Sequence, residues 1–198
     1  MIVCLAHGRP CHPASRIAPF RPVWQRVHPD SFGIPMITLS RSDPAIHSSD
    51  IAALETQIAA RLPASFKHLL LSYNGGVPNK DCWEGDDDHD VMRVKKFKAL
   101  SPSGAQDASE TRYLGGCYAR MTERQVVPMT LLPFAIDEGG NFFCLDVVDG
   151  SVCFYATDSF DPDSTVADNQ RHAYRRLAET FDSFLSGLKD ESEIDVWE

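Results

Sequence analysis

The sequence predicts an α+β domain: an antiparallel or mixed β-sheet with a central hairpin at about residues 142–155, packed by two N-terminal helices and a C-terminal helix. Three observations carry this. Residues 142–148 are dense in β-favouring apolar side chains, Asp149-Gly150 is a pair suited to positive φ, and residues 152–155 resume the β pattern. Apolar residues recur at helical spacing in two short stretches before residue 76. They recur again, over a longer span, between residues 170 and 188.

Taken in order, residues 1–35 hold six of the thirteen prolines among Arg, His and Ser, with no sustained apolar period. Such a stretch has little to bury and is expected to be a disordered extension, with the domain spanning residues 36–190 and an acidic tail at 191–198. Ser49-Asp50 then starts a first helix near 49–61, with Ile51, Leu54, Ile58 and Leu62 on one side. Leu62-Pro63 interrupts it, and the same proline suits the opening turn of a second helix carrying Phe66, Leu69, Leu70 and Tyr73, which Asn74-Gly75-Gly76 stops. Residues 77–90 are polar and acid-rich. A strand is expected around Val91, Arg93 and Phe97, with Lys95, Lys96 and Lys98 marking a solvated sheet edge. Residues 101–109 read as a loop, and residues 110–127 as a short helix or irregular turn. Residues 134–136 form the strand before the 138–141 turn.

If Asp149-Gly150 is a two-residue turn, Val147 faces Val152 and Leu145 faces Phe154. Phe143, Leu145, Val147, Val152 and Phe154 then share an apolar face, while Cys144, Asp146, Ser151, Cys153 and Tyr155 occupy the other. Residues 170–188 read as one long helix that closes over the sheet, with Tyr174, Leu177, Phe181, Phe184, Leu185 and Leu188 inward.

With 43% hydrophobic residues in 198, the chain can bury one ordinary core. No apolar run approaches the roughly 20 residues of a membrane span, and residues 1–6 are too short for a secretory signal, so a cytoplasmic location is expected and no membrane partner. Of the net charge of −9, Arg9, Arg16, Arg21 and Arg26 against Asp30 make residues 1–35 net +3, leaving −12 on residues 36–198. An acidic body repels nucleic acid and attracts basic partners. The six cysteines show neither CxxC pairs nor zinc-ligand spacing, and the acids near residue 86 lack the EF-hand pattern, so neither a metal nor a cofactor is expected.

No nucleophile-and-base motif or phosphate-cradling glycine loop is present. Adjacent acids at a turn, such as Asp137 and Glu138, point to opposite sides of the chain, so no catalytic residue is assigned and an enzyme ranks last. The residues that suit partner binding are the acids Asp86, Asp87, Asp88, Asp137, Glu138, Asp158, Asp161 and Asp163, with Trp83 as either an apolar anchor or a ring folded onto the core.

Read together, Asp50-Ile51, Glu55, Leu62-Pro63-Ala64-Ser65-Phe66, Tyr73-Asn74-Gly75-Gly76, Leu132-Pro133-Phe134-Ala135, Gly139-Gly140-Asn141, Leu145-Asp146, Gly150-Ser151-Val152 and Leu177-Ala178-Glu179-Thr180-Phe181 fall in the order and spacing of the SUKH superfamily. Over about residues 46–188 the chain resembles these Smi/Knr-like domains. Residues 1–35 and the aspartates at 86–90 lie outside the shared pattern and inherit no role from it. The resemblance implies a non-enzymatic binding protein of the toxin-antitoxin kind: an immunity protein that neutralises a cognate polymorphic toxin, often a nuclease and so a basic protein domain. The alternative is a regulatory protein-protein interaction module like the fungal members. Neither the toxin nor the oligomeric state is legible in the sequence.

Overall fold

The computed structural model describes residues 37–85, 91–101 and 111–194. The expectations for residues 1–35, for Asp86, Asp87 and Asp88, for most of the 101–109 loop and for the last four residues lie outside the described residues. The fold is α+β, with antiparallel pairing throughout its sheets.

Strand β1 (Leu39–Ser40) leads into helix α1 (Ser48–Gln57). Asp50 accepts the His47 backbone N–H at 2.8 Å, so the helix begins at Ser48, one residue before the expected start. It also ends earlier than expected: Ala59 has φ 53°, a left-handed conformation that a helix cannot continue through. Pro63 caps α2 (Ala64–Ser72), as its fixed φ favours. Asn74 is buried after α2. Its side chain donates to Pro44 O and Leu100 O and accepts from Leu100 N, all at 2.7–2.8 Å, which ties three segments together. Gly75 (φ 69°) then passes so close to Ala99 that a Cβ would lie 2.7 Å from its backbone nitrogen.

Strand β2 (Val77–Pro78) pairs with β1, and β3 (Cys82–Trp83) with β4 (Met92–Arg93). Strand β5 (Lys96–Phe97) is one edge of the principal sheet, followed in space by β6 (Leu131–Ile136), β7 (Phe142–Asp146), β8 (Val152–Tyr155) and β9 (Tyr174–Ala178). Helix α3 (Leu114–Glu123) precedes β6, and α4 (Val166–Ala173) precedes β9. A bulge at Phe134 lets Phe134 and Ala135 both reach one core and accommodates Pro133 in a central strand.

The β7–β8 register differs from the expected one by two residues. Leu145 faces Val152 and Phe143 faces Phe154. The Asp146 and Asp149 carboxylates accept the Val148 and Ser151 N–H groups at 2.8 and 2.9 Å, which makes a four-residue loop with Gly150 alone at positive φ. An even shift keeps each side chain on its face. Phe143, Leu145 and Val152 therefore join the core under α1, α2 and the later helix α5 (Phe181–Gly187), with Phe154 and Val147 partly buried.

The second face corrects the sequence reading. Cys144, Cys153 and Tyr155 are as buried as their neighbours and pack with Phe142, Leu131, Cys117 of α3 and Ala173 of α4. Thiols behave as small hydrophobes, so a covering helix turns an apparently polar face into a second core. Lys98 is a further correction. Instead of lying on a solvated edge it is buried, donates to Thr111 O at 2.8 Å and sits 5.6 Å from the Phe142 ring centroid.

The single long helix expected over 170–188 is instead helix, strand, helix and a short strand. Residues 174–178 pair with β8, giving that strand the partner it would otherwise lack, and Thr180 caps α5 through Ser183 N at 3.1 Å. Tyr174, expected inward, is 37% exposed. Strand β10 (Leu188–Lys189) ends the sequence of elements by pairing with β3. Beyond it, Glu193 meets Lys80 at 2.8 Å and Glu191 pairs with Arg93, so the start of the acidic tail is held against the domain.

Candidate functional site

Two of the three acidic connections meet at one end of the principal sheet. The β6–β7 turn carries Asp137 and Glu138, and the segment after β8 carries Asp158. Asn141, 5% exposed, holds them together. Its backbone N–H donates to Asp137 Oδ1 at 2.7 Å, its side-chain Nδ2 donates to Asp137 Oδ2 and Asp158 Oδ2 at 3.0 Å each, and its Oδ1 accepts from Asp158 N at 3.3 Å. The two carboxylates share one neutral donor, a geometry that orients them and supplies no proton for acid-base chemistry. Glu138 reaches outward to Lys95 at 2.7 Å, with its side chain 75% exposed.

Beside this end lies a concavity of about 610 Å³ lined by Asp137, Glu138 and Gly139, by Val91, Met92 and Arg93, and by Phe154, Ala156, His172, Ala173 and Arg175. Val91, which lines the concavity, directly follows residues 86–90 in the sequence. Arg93, His172 and Arg175 make the lining mixed in charge. Sequence reasoning missed them because they come from segments far apart in the chain, with Arg175 read, like Arg171 and Arg176, as the outer face of a long helix.

The remaining candidates are placed elsewhere or serve the chain itself. Asp161 accepts Asp163 N and Ser164 Oγ at 2.9 Å each, and its backbone exchanges two 2.8 Å bonds with Asn169, so it shapes the approach to α4. Those bonds hold the Asp161 carboxyl below its ordinary pKa. Trp83 stacks on Phe184, centroids 5.3 Å apart, and lies over Gly187, where a Cβ would meet the ring at 2.5 Å. Of the two readings of this residue, the ring folded onto the core describes its placement.

Cys82, Cys117 and Cys144 are poorly suited to attack. Burial, aided by the Asp81 carboxylate, pushes Cys82 up to about 11. Burial raises Cys117 and raises Cys144 well above its ordinary value, the neighbouring Cys153 adding to the latter. Among the described residues, no group of three or more His, Cys, Asp or Glu is arranged to hold a metal ion, and no helix is long and apolar enough to cross a membrane.

Residues 45–187 match the model of the SMI1 / KNR4 family (SUKH-1). The chain is also similar to the SPbeta prophage-derived uncharacterized protein YokK of Bacillus subtilis (strain 168): 24% identical over 160 residues, which cover 75% of this chain and 78% of that protein.

Proposed function

Because the chain belongs to the SMI1 / KNR4 family (SUKH-1), we propose that it is a binding protein of the immunity type, which neutralises a cognate protein toxin by covering a basic face of it. The observation that carries this reading is the convergence of Asp137, Glu138 and Asp158 at one end of the sheet, beside a concavity lined by Val91, the residue that follows Asp90 in the sequence. The prophage origin in the name of the relative from Bacillus subtilis accords with cargo of a mobile element. In this reading Asp86, Asp87, Asp88 and Glu138 steer the encounter. Trp83 supports the site from within by packing β3 on Phe184.

Charge of this kind raises the association rate and is screened by salt over about 8 Å at physiological ionic strength. The test is stopped-flow association with the basic domain of a toxin encoded in the neighbouring gene. Association is expected to slow at high salt, and to slow again when Asp86, Asp87, Asp88 and Glu138 are replaced by Lys. Rates indifferent to both changes remove the electrostatic docking, and absence of any complex or protection removes the immunity reading.

A further inference from the structure

We propose that the outer edge of β9 is a strand-addition site for an extended, acidic segment of another protein. Strand β9 ends the five-stranded order, and among the described residues nothing pairs with its outer side. The opposite edge is not equivalent, because Phe97 of β5 exchanges backbone bonds with Gly76, N–H to O at 2.8 Å one way and 3.1 Å the other.

The register identifies which groups of β9 are open. Ala156 N donates to Ala173 O at 2.9 Å, and Tyr155 faces Tyr174, Phe154 faces Arg175 and Cys153 faces Arg176. Hydrogen-bonded and non-hydrogen-bonded pairs alternate along an antiparallel ladder, so Arg175 directs its backbone groups toward β8 while Tyr174 and Arg176 direct theirs outward. The β7–β8 ladder gives the same parity from its other end, where Asp146 N donates to Ser151 O at 2.8 Å. The Arg176 N–H and the C=O groups of Tyr174 and Arg176 thus stand in the geometry that an added strand requires, while the Tyr174 N–H belongs to the C-cap of α4.

Charge selects the occupant. Residues 171–176 hold three arginines and a histidine within a chain of net −9. The two faces of β9 each carry one arginine: Arg175 lines the concavity beside Phe154, and Arg176 lies on the Cys153 face. Arg176 meets Glu179 at 2.6 Å and Asp149 at 3.5 Å, and Arg171 meets Asp168 at 2.7 Å. These pairs are exposed, with Glu179 79% and Arg171 71% accessible, and exposed pairs exchange partners at little cost. A second copy of this chain is the poorer occupant, since antiparallel pairing of β9 with itself sets arginines against arginines. An acidic strand places carboxylates beside one arginine or the other in either register. This edge shares Arg175 with the concavity of the toxin reading, but the acids of that reading lie at the end of the sheet and on the segment before Val91, so peptide binding at the edge is tested separately.

The probe is a fluorescein-labelled peptide of about eight residues alternating glutamate with threonine, compared with its lysine-threonine counterpart by fluorescence anisotropy on the full chain. The glutamate peptide is expected to bind at least about tenfold more tightly than the lysine peptide. Arg176→Ala is expected to weaken it a few-fold. Arg176→Pro, which also removes an outward N–H at an edge position, is expected to weaken it by about a further tenfold. Should Arg176→Pro fail to fold, as its melting curve would show, the double reversal Arg175→Glu with Arg176→Glu decides, and it is expected to exchange the preference to the lysine peptide. Equal binding of the two peptides, or binding of neither, overturns the proposal. So does equal binding by the Ala and Pro variants, or a dimer in sedimentation that Arg176→Pro dissociates, which would assign the edge to a second copy.

Discussion

The two faces of the principal sheet are both buried, yet they are built from different chemistry. Under α1, α2 and α5, five phenylalanines meet edge to face or tilted: Phe134 lies 5.8 Å from Phe66, 5.4 Å from Phe181 and 5.5 Å from Phe184, and Phe143 lies 5.9 Å from Phe184. Under α3 and α4 three thiols and one tyrosine pack with Val127, Leu131, Phe142 and Ala173, beside the buried Lys98, and two of the polar tips reach backbone carbonyls: Tyr155 Oη donates to Val126 O at 2.8 Å, and Lys98 Nζ to Thr111 O at 2.8 Å. Burial is decided by what covers a face. The first face is buried because its side chains demand it, and the second because helices close over residues that tolerate it.

The largest expected effect falls on the aromatic face. Phe143→Ala should cost about 3–5 kcal/mol in denaturant unfolding, through lost transfer energy and the cavity left among rigid rings. A cost below about 1 kcal/mol would mean that this face can collapse and that the contrast is false.

The next effect is a charge at the rim of that face. Glu55, with its side chain 6% exposed, is pushed up by burial, but the Leu62 N–H at 2.9 Å, Arg61 at 2.7 Å and Lys67 at 3.1 Å outweigh this and hold it at about 2. A carboxyl depressed on folding from 4.5 contributes stability that is complete above pH 4.5 and lost as pH falls through about 2. Its contribution near neutrality is on the order of 3 kcal/mol. Glu55→Gln should therefore destabilise by about 2–3 kcal/mol at pH 7, and the difference from wild type should shrink across the acid window. A difference that stays constant from pH 6 to pH 2 would show that the carboxylate is not held by these partners.

On the thiol face, Cys144→Ser places a hydroxyl in a site with no exposure, and should cost about 1–3 kcal/mol where exposure of this face would have made it nearly silent. A melting temperature unchanged from wild type would show that α3 does not seal this face. The smallest effect belongs to the layer outside the aromatic face. Gly187→Ala drives a methyl into the Trp83 ring and should cost about 1–2 kcal/mol, with a change in tryptophan fluorescence as the indole leaves Phe184. Unaltered fluorescence would return Trp83 to the surface and to the role of a partner anchor.

The sequence alone determined the features that depend on neighbours in the chain. The two helices on either side of Pro63, the stop at Gly75-Gly76, the β6–β8 strands and the parity of Phe143 against Cys144 all follow from period, turn chemistry and fixed φ, which act over a few residues. The order of these motifs also carried the family. What tertiary structure decided is whatever depends on partners distant in sequence. Residues 174–178 have helical spacing yet become a strand, because the β8 edge offers them a ladder and pairing outweighs a weak propensity. Lys98 reads as a solvated edge and is buried, and Cys144 and Cys153, on the less apolar face of the hairpin, are buried where α3 and α4 close over them. The candidate site follows the same division. Asp137, Glu138 and Asp158 were visible as acids, but only the fold supplies Asn141 to join Asp137 and Asp158, and only the fold sets Arg93, His172 and Arg175 around the same concavity. A side chain's type is written in the chain, whereas its neighbours across a sheet end are the outcome of closing loops tens of residues long.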